Sequence, residues 1–177
     1  DAHFVDGGLR YTGAPISRVY GLKHLEGATV VGLADGGVIP ETVVVDGAID
    51  LPAAASNIVI GLPFDAIGVT NRIEAGAADG TAQGKTKRIH SAKVRLWKTG
   101  GGFIGSKDQY DRLEEITARD DDNLTTDPVP LIDGDRQVEW PEGYEGDACV
   151  LFKRPGNIPL PFNVIAIMPQ LVTQDGG

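Results

Sequence analysis

The feature that most constrains this chain is its punctuation. Short β-branched runs of period two are cut again and again by Asp-Gly pairs. Ala28-Thr29-Val30-Val31-Gly32-Leu33-Ala34 ends at Asp35-Gly36-Gly37, and Val43-Val44-Val45 ends at Asp46-Gly47. Ala48-Ile49-Asp50-Leu51 follows directly, and Asn57-Ile58-Val59-Ile60-Gly61 stops at Pro63. Gly supplies the positive φ that tight primed turns require, so Asp-Gly between β-branched runs predicts hairpins. Four short strands in so little chain leave little room for a helix. They predict a small antiparallel barrel or meander over residues 1–66.

Residues 67–177 read as a second β-rich unit with longer strands, a β-sandwich or barrel-like body with little helix. Val69 to Glu74 is expected as a strand, followed by a Gly/Ala loop from Ala75 to Gly84. A long strand, one arm of a long hairpin (85–99), runs from Lys85 to Thr99. In its second half Ala92, Val94 and Leu96 share one face while Lys93, Arg95 and Trp97 share the other. Further strands are expected at Arg136–Trp140, Ala148–Lys153 and Asn163–Ile167, the last leading to the C-terminal end. Short helical turns fit only Leu22–Leu25 and Asp108–Glu115. The 24 Gly and 11 Pro show no G-X-Y period, which excludes collagen and suits many turns. No apolar run approaches the roughly 20 residues of a membrane-spanning helix. The single Cys149 excludes an intrachain disulfide and, in its apolar run, reads as an inert core thiol. The opening Asp1-Ala2-His3, without Met, leads us to expect a piece of a longer protein.

Catalytic and cofactor motifs fail on context. Gly100-x-Gly102-x-x-Gly105 has the spacing of a dinucleotide fingerprint, but no βαβ unit surrounds it, so a glycine-rich hairpin loop is expected. Gly80 to Thr86 resembles a phosphate-binding loop, yet Asp79 stands where its first Gly belongs, and a strand pattern follows where a helix is needed. His3, His24 and His90 lack the clustering of a zinc site. Asp120-Asp121-Asp122-Asn123 and Asp127 could supply oxygen ligands to a cation, but Leu124 breaks the EF-hand spacing and a solvated acidic loop is the reading. Ser17, Ser56, Ser91 and Ser106 lack a nucleophile elbow, and Glu114-Glu115 has no identifiable partner carboxylate. The expectation is a non-enzymatic protein with no catalytic, cofactor-binding or metal residues.

Charge is strongly segregated. Gly84 to Lys98 holds six basic residues and no acid, whereas the other 162 residues hold 10 basic and 25 acidic side chains, a net of -15. A basic strand in an acidic chain predicts a contact with an acidic surface on a neighbouring subunit or another partner. The predicted partner residues are Lys87, Arg88, Lys93 and Arg95, with Trp97 as an aromatic anchor. Nucleic acid is the rival partner, since Lys and Arg neutralise phosphates, but the overall acidity opposes it. A merely solvated charged face is the plain alternative.

A string of segments carries a resemblance. Gly21-Leu22-Lys23-His24-Leu25-Glu26-Gly27 precedes Leu33-Ala34-Asp35-Gly36, Val45-Asp46-Gly47 and Ile60-Gly61-Leu62-Pro63-Phe64. Gly84-Lys85, Lys87-Arg88-Ile89, Val94-Arg95-Leu96 and Thr99 follow, then Leu160-Pro161-Phe162 and Val164 to Pro169. From Gly21 to Val172 this order resembles the C-terminal portion of tail nozzle, or DNA-stabilisation, proteins of short-tailed phages and prophages. The resemblance implies a β-rich structural protein of the virion tail, made in the bacterial host cytoplasm. It implies contacts with its own copies in a ring, commonly a hexamer, and with an adaptor ring and other tail proteins. Genome DNA would pass through without specific binding, and an acidic channel wall would let it slide by like-charge repulsion. Family members are much longer than this chain. An alternative from another class is a carbohydrate-binding β-module on a phage or secreted protein, with Trp97, Trp140 and Tyr144 stacking on sugar rings.

Overall fold

The computed structural model describes residues 4–74, 81, 84–117, 128–140 and 143–174. It is mainly β, with eleven strands and two short 3-10 turns among the described residues. The chain divides into two compact units. One comprises Asp1–Ala66, Ala118–Leu131 and Arg154–Pro161; the other comprises Ile67–Thr117, Ile132–Lys153 and Phe162–Gly177. No helix among the described residues is long and apolar enough to cross a membrane.

The first unit is built on an open four-stranded antiparallel sheet, in the order β1-β4-β2-β3, and does not close into a barrel. Its strands are β1 (Asp6–Tyr20), β2 (Thr29–Ala34), β3 (Gly37–Val43) and β4 (Ala48–Leu62). The β2–β3 turn is the one its sequence predicts: Asp35 and Gly36 both take positive φ, 47° and 89°, as a primed hairpin demands. The Asp35 carboxylate also accepts from the backbone N–H groups of Ser56 and Asn57 at 2.9 and 2.8 Å, tying the turn to β4. Those two bonds hold its carboxyl below the ordinary range. At the next turn, Asp46 and Gly47 bridge Val45 to Ala48, and both of their N–H groups donate to the Glu26 carboxylate.

Two features of this sheet differ from the sequence expectation. The segments 48–51 and 57–61 are parts of one 15-residue strand, β4. Ile16 of β1 faces Ala55 while Arg18 faces Asp50, so four residues of β4 loop out opposite Ser17 alone. Pro52 is tolerated there because the ladder needs no donor at a bulge. β1 itself carries no clear period-two signal because its register shifts three times. Leu9, Tyr11 and Val19 pack on the core from odd positions but Ile16 from an even one. The core closes over Val19, Leu22, Val30, Ile39, Ile58 and Ile60.

The second unit holds two antiparallel sheets. One has the order β5-β10-β7-β8, from β5 (Ala66–Val69), β7 (Gly101–Ser106), β8 (Glu114–Thr117) and β10 (Val150–Arg154). The other has the order β11-β6-β9, from β6 (Thr86–Thr99), β9 (Ile132–Val138) and β11 (Val164–Gln174). The expected long hairpin (85–99) is therefore corrected. Residues 86–99 form one continuous central strand whose partners come from distant sequence. Lys98 takes φ 45°, and the chain leaves at Gly100 to enter the other sheet as β7.

From Gly101 onward the Gly100–Gly105 stretch is likewise a strand and not a loop. Its glycines admit neighbours that a side chain would exclude: a Cβ on Gly102 would lie 2.8 Å from three ring atoms of Phe162. The strand expected at 69–74 ends at Val69. Beyond it, Thr70 bonds Val150 through both its N–H and its hydroxyl. The expected helical turns exist as 3-10 segments, Lys23–Leu25 and Lys107–Arg112. The acidic stretch Asp120–Asp122, with Asn123 and Asp127, lies outside the described residues.

Candidate functional site

The basic strand β6 organises the most distinctive surface. Ala92, Val94 and Leu96 point into the core at 2% exposure or less, as their spacing predicts. Lys93 and Arg95 alternate with them outward, and Trp97 is 54% exposed. The neighbouring strands complete this outer face. Met168 of β11 and Gln137 of β9 flank Lys93, while Ala166 and Asp135 flank Arg95. The exposed Ile165, Met168 and Val172 give the β11 side an apolar character.

Arg95 is held in a forked geometry. Its Nε donates to Asp135 Oδ1 at 2.7 Å and its Nη2 to Oδ2 at 3.0 Å. This bidentate bond raises the guanidinium and lowers the Asp135 carboxyl from their ordinary values. At this exposed position it fixes orientation more than it adds stability. The Lys98 ammonium lies 5.0 Å from the Trp97 ring centroid, a cation–π contact that covers one approach to the ring. Asp133 accepts from the Lys98 backbone N–H at 2.8 Å and fixes the turn that presents the indole. Asn163 adds a side-chain bond to the Trp97 carbonyl at 3.0 Å.

Lys87 does not join this face, which corrects the sequence expectation. It is 1% exposed, and its ammonium donates to the Gly146 carbonyl at 3.3 Å. The reason is a bulge. Ser91 pairs with Gln170 and Ile89 with Leu171, so His90 is an extra residue on β6. One extra residue reverses the facing of everything before it. Lys87 and Ile89 therefore turn inward by the same parity that sends Lys93 and Arg95 outward. Arg88 is half-buried on the outward phase, across from Val172. Of the aromatic residues considered for sugar stacking, Trp97 and Tyr144 are exposed and Trp140 is half-buried.

The remaining chemistry-bearing groups have structural employment. Ser106 is fully buried, donates to Glu145 and caps the Asp108 N–H. Cys149 is buried, which pushes its thiol up from the ordinary value. Arg154 is 3% exposed, donates to the Ile158 and Phe64 carbonyls at 3.2 Å, and lies 4.5 Å from the Phe64 ring centroid. His24 Nε2 is 3.1 Å from the Gly7 carbonyl. Among the described residues no group of three or more His, Cys, Asp or Glu side chains is gathered to hold a metal ion. No protein-family model matches the chain, and no curated protein matches it.

Proposed function

We propose that this chain is a structural component of a phage tail, of the nozzle type, working through protein–protein contacts around the DNA exit channel and performing no catalysis. The observation that carries the reading is the outer face of β6. It presents Lys93, Arg95 and an oriented Trp97 from a chain whose formal net charge is -9. A cationic surface with an aromatic anchor and an apolar flank has the composition of an interface centre, where Arg and Trp are enriched. The order of turn and strand motifs from Gly21 to Val172, similar to that of tail nozzle proteins, supplies the biological setting. Its partners in this reading are its own copies and an adjoining tail protein, with DNA passing an acidic wall unbound.

Native mass spectrometry across a concentration series, with negative-stain imaging of the same sample, tests the reading. A discrete closed oligomer, six-fold or otherwise, is the expected result. A strict monomer at the highest concentration overturns the self-assembling part of it.

A further inference from the structure

We infer that the outer face of the β11–β6–β9 sheet in one copy seats the acidic edge made by the Lys107–Arg112 turn and β8 of a second copy. The contact is head-to-tail, and the inference rests on the tail-component reading above.

The two surfaces match in charge and in character. The receiving face offers Lys93 beside the exposed Trp97, with Arg95 held in its fork to Asp135 and with exposed Met168 and Val172 on β11. The opposing edge carries Asp108, Asp111, Glu114 and Glu115 within eight residues, against Lys107 and Arg112. β8 is the outermost strand of its sheet among the described residues, and its Glu114 carboxylate accepts from the Glu139 N–H at 2.6 Å. Asp111 and Glu115 are exposed and take part in no ion pair among the described residues. Tyr110, 44% exposed on the same turn and with the Lys153 ammonium 5.2 Å from its ring centroid, provides an aromatic counterpart for the indole and the β11 side chains. In such a contact the charges set partner choice and register, while the apolar centre supplies affinity.

A second copy is the occupant the chain itself argues for. Outside Gly84–Lys98 the net charge is -15, so each copy brings acidic surface beyond the Asp135 that already pairs with Arg95 of its own basic strand. The patches differ from one another, so a head-to-tail contact between them closes into a ring or propagates, whereas a two-fold dimer would make the same contact twice, reciprocally.

Two charge-reversed full-length chains decide the matter: Lys93→Glu with Arg95→Glu, and Asp111→Lys with Glu115→Lys. Each alone should raise the oligomer's dissociation constant on the order of tenfold or more, because like charges then meet. An equimolar mixture should recover assembly as an alternating complex, which a merely damaged fold could not do. Circular dichroism checks the fold, and Lys93→Gln with Arg95→Gln replaces the first variant if it fails that check. Loss in both variants without recovery on mixing overturns the inference, because the acidic edge is then not the partner. Wild-type-like assembly by both variants also overturns it but leaves the tail reading standing on another contact. A wild-type chain that is monomeric throughout removes both.

Discussion

Phe162 lies flat on the backbone of Gly102, and that contact sets up a double-variant cycle with a distinctive outcome. A methyl added at Gly102 would approach Cγ, Cδ1 and Cδ2 of the ring at 2.8 Å, where ordinary contact begins at 3.4 Å. The ring must therefore retreat by about 0.6 Å, and it has little freedom to do so. Its chain neighbour Asn163 is locked to Thr99, accepting from the hydroxyl at 3.1 Å and donating its N–H back at 3.0 Å. Overpacking of this kind costs roughly 1–3 kcal/mol, so Gly102→Ala should lose about 2 kcal/mol. In a chain of this size that lowers the melting temperature by about 4–8 °C. Phe162→Ala removes a half-buried ring and should cost about 2 kcal/mol by itself. With the ring gone the added methyl loses all three of its nearest contacts, so the double variant should lose no more than Phe162→Ala alone. Denaturant titration followed by tryptophan fluorescence reports on the unit concerned, which contains both Trp97 and Trp140. If the double variant loses the sum of the two single losses, the ring contact is not what requires glycine at 102.

Two further outcomes follow from named contacts. Arg154→Ala removes two charge-assisted hydrogen bonds and the stacking on Phe64, and should cost about 3 kcal/mol by chemical denaturation; a loss within error of zero refutes the clamp. Asp35 and Asp135 both have folded pKa values lowered by hydrogen bonds. Their contribution is therefore present above the unfolded carboxylate value of about 3.9 and disappears as pH falls through the lowered folded values. Asp35→Asn and Asp135→Asn should each flatten the acid limb of a stability–pH curve below about pH 4, and an unchanged limb contradicts the assignment.

The parts of the fold that depend on local chemistry were legible in the sequence. Asp35-Gly36 sits in a primed turn because its two residues tolerate positive φ, which no neighbouring chain needs to supply. The second half of β6 alternates cleanly because nothing interrupts its pleat between Ala92 and Trp97. What was illegible depends on pairing. The bulge at His90 exists only in relation to Gln170 and Leu171, some 80 residues away, and it alone decides that Lys87 is buried. The merging of two short runs into β4 likewise depends on how β1 bridges Pro52. The loss of the expected hairpin follows from Gly100, where the chain changes sheets. For the candidate surface, the identities of Lys93, Arg95 and Trp97 could be read, whereas the Asp135 fork and the flank of β11 could not. Those come from strands that carry no mark of their destination.

The way the chain is shared between its two units bears on how it is made. Neither unit is a single stretch of sequence, since residues Arg154–Pro161 return to the one that contains Asp1–Ala66. Phe64 and its sheet leave the ribosome long before Arg154, which stacks on that ring. About 95 residues separate Ala66 from the end of the returning segment, a wait of about 5–20 s at roughly 5–20 residues per second. During that interval the early sheet stands without its last piece, and so do its unpaired edges. A truncated product ending near residue 66 would therefore be a stalled intermediate and not a domain, and the two units must be finished almost together, by the same final stretch of chain.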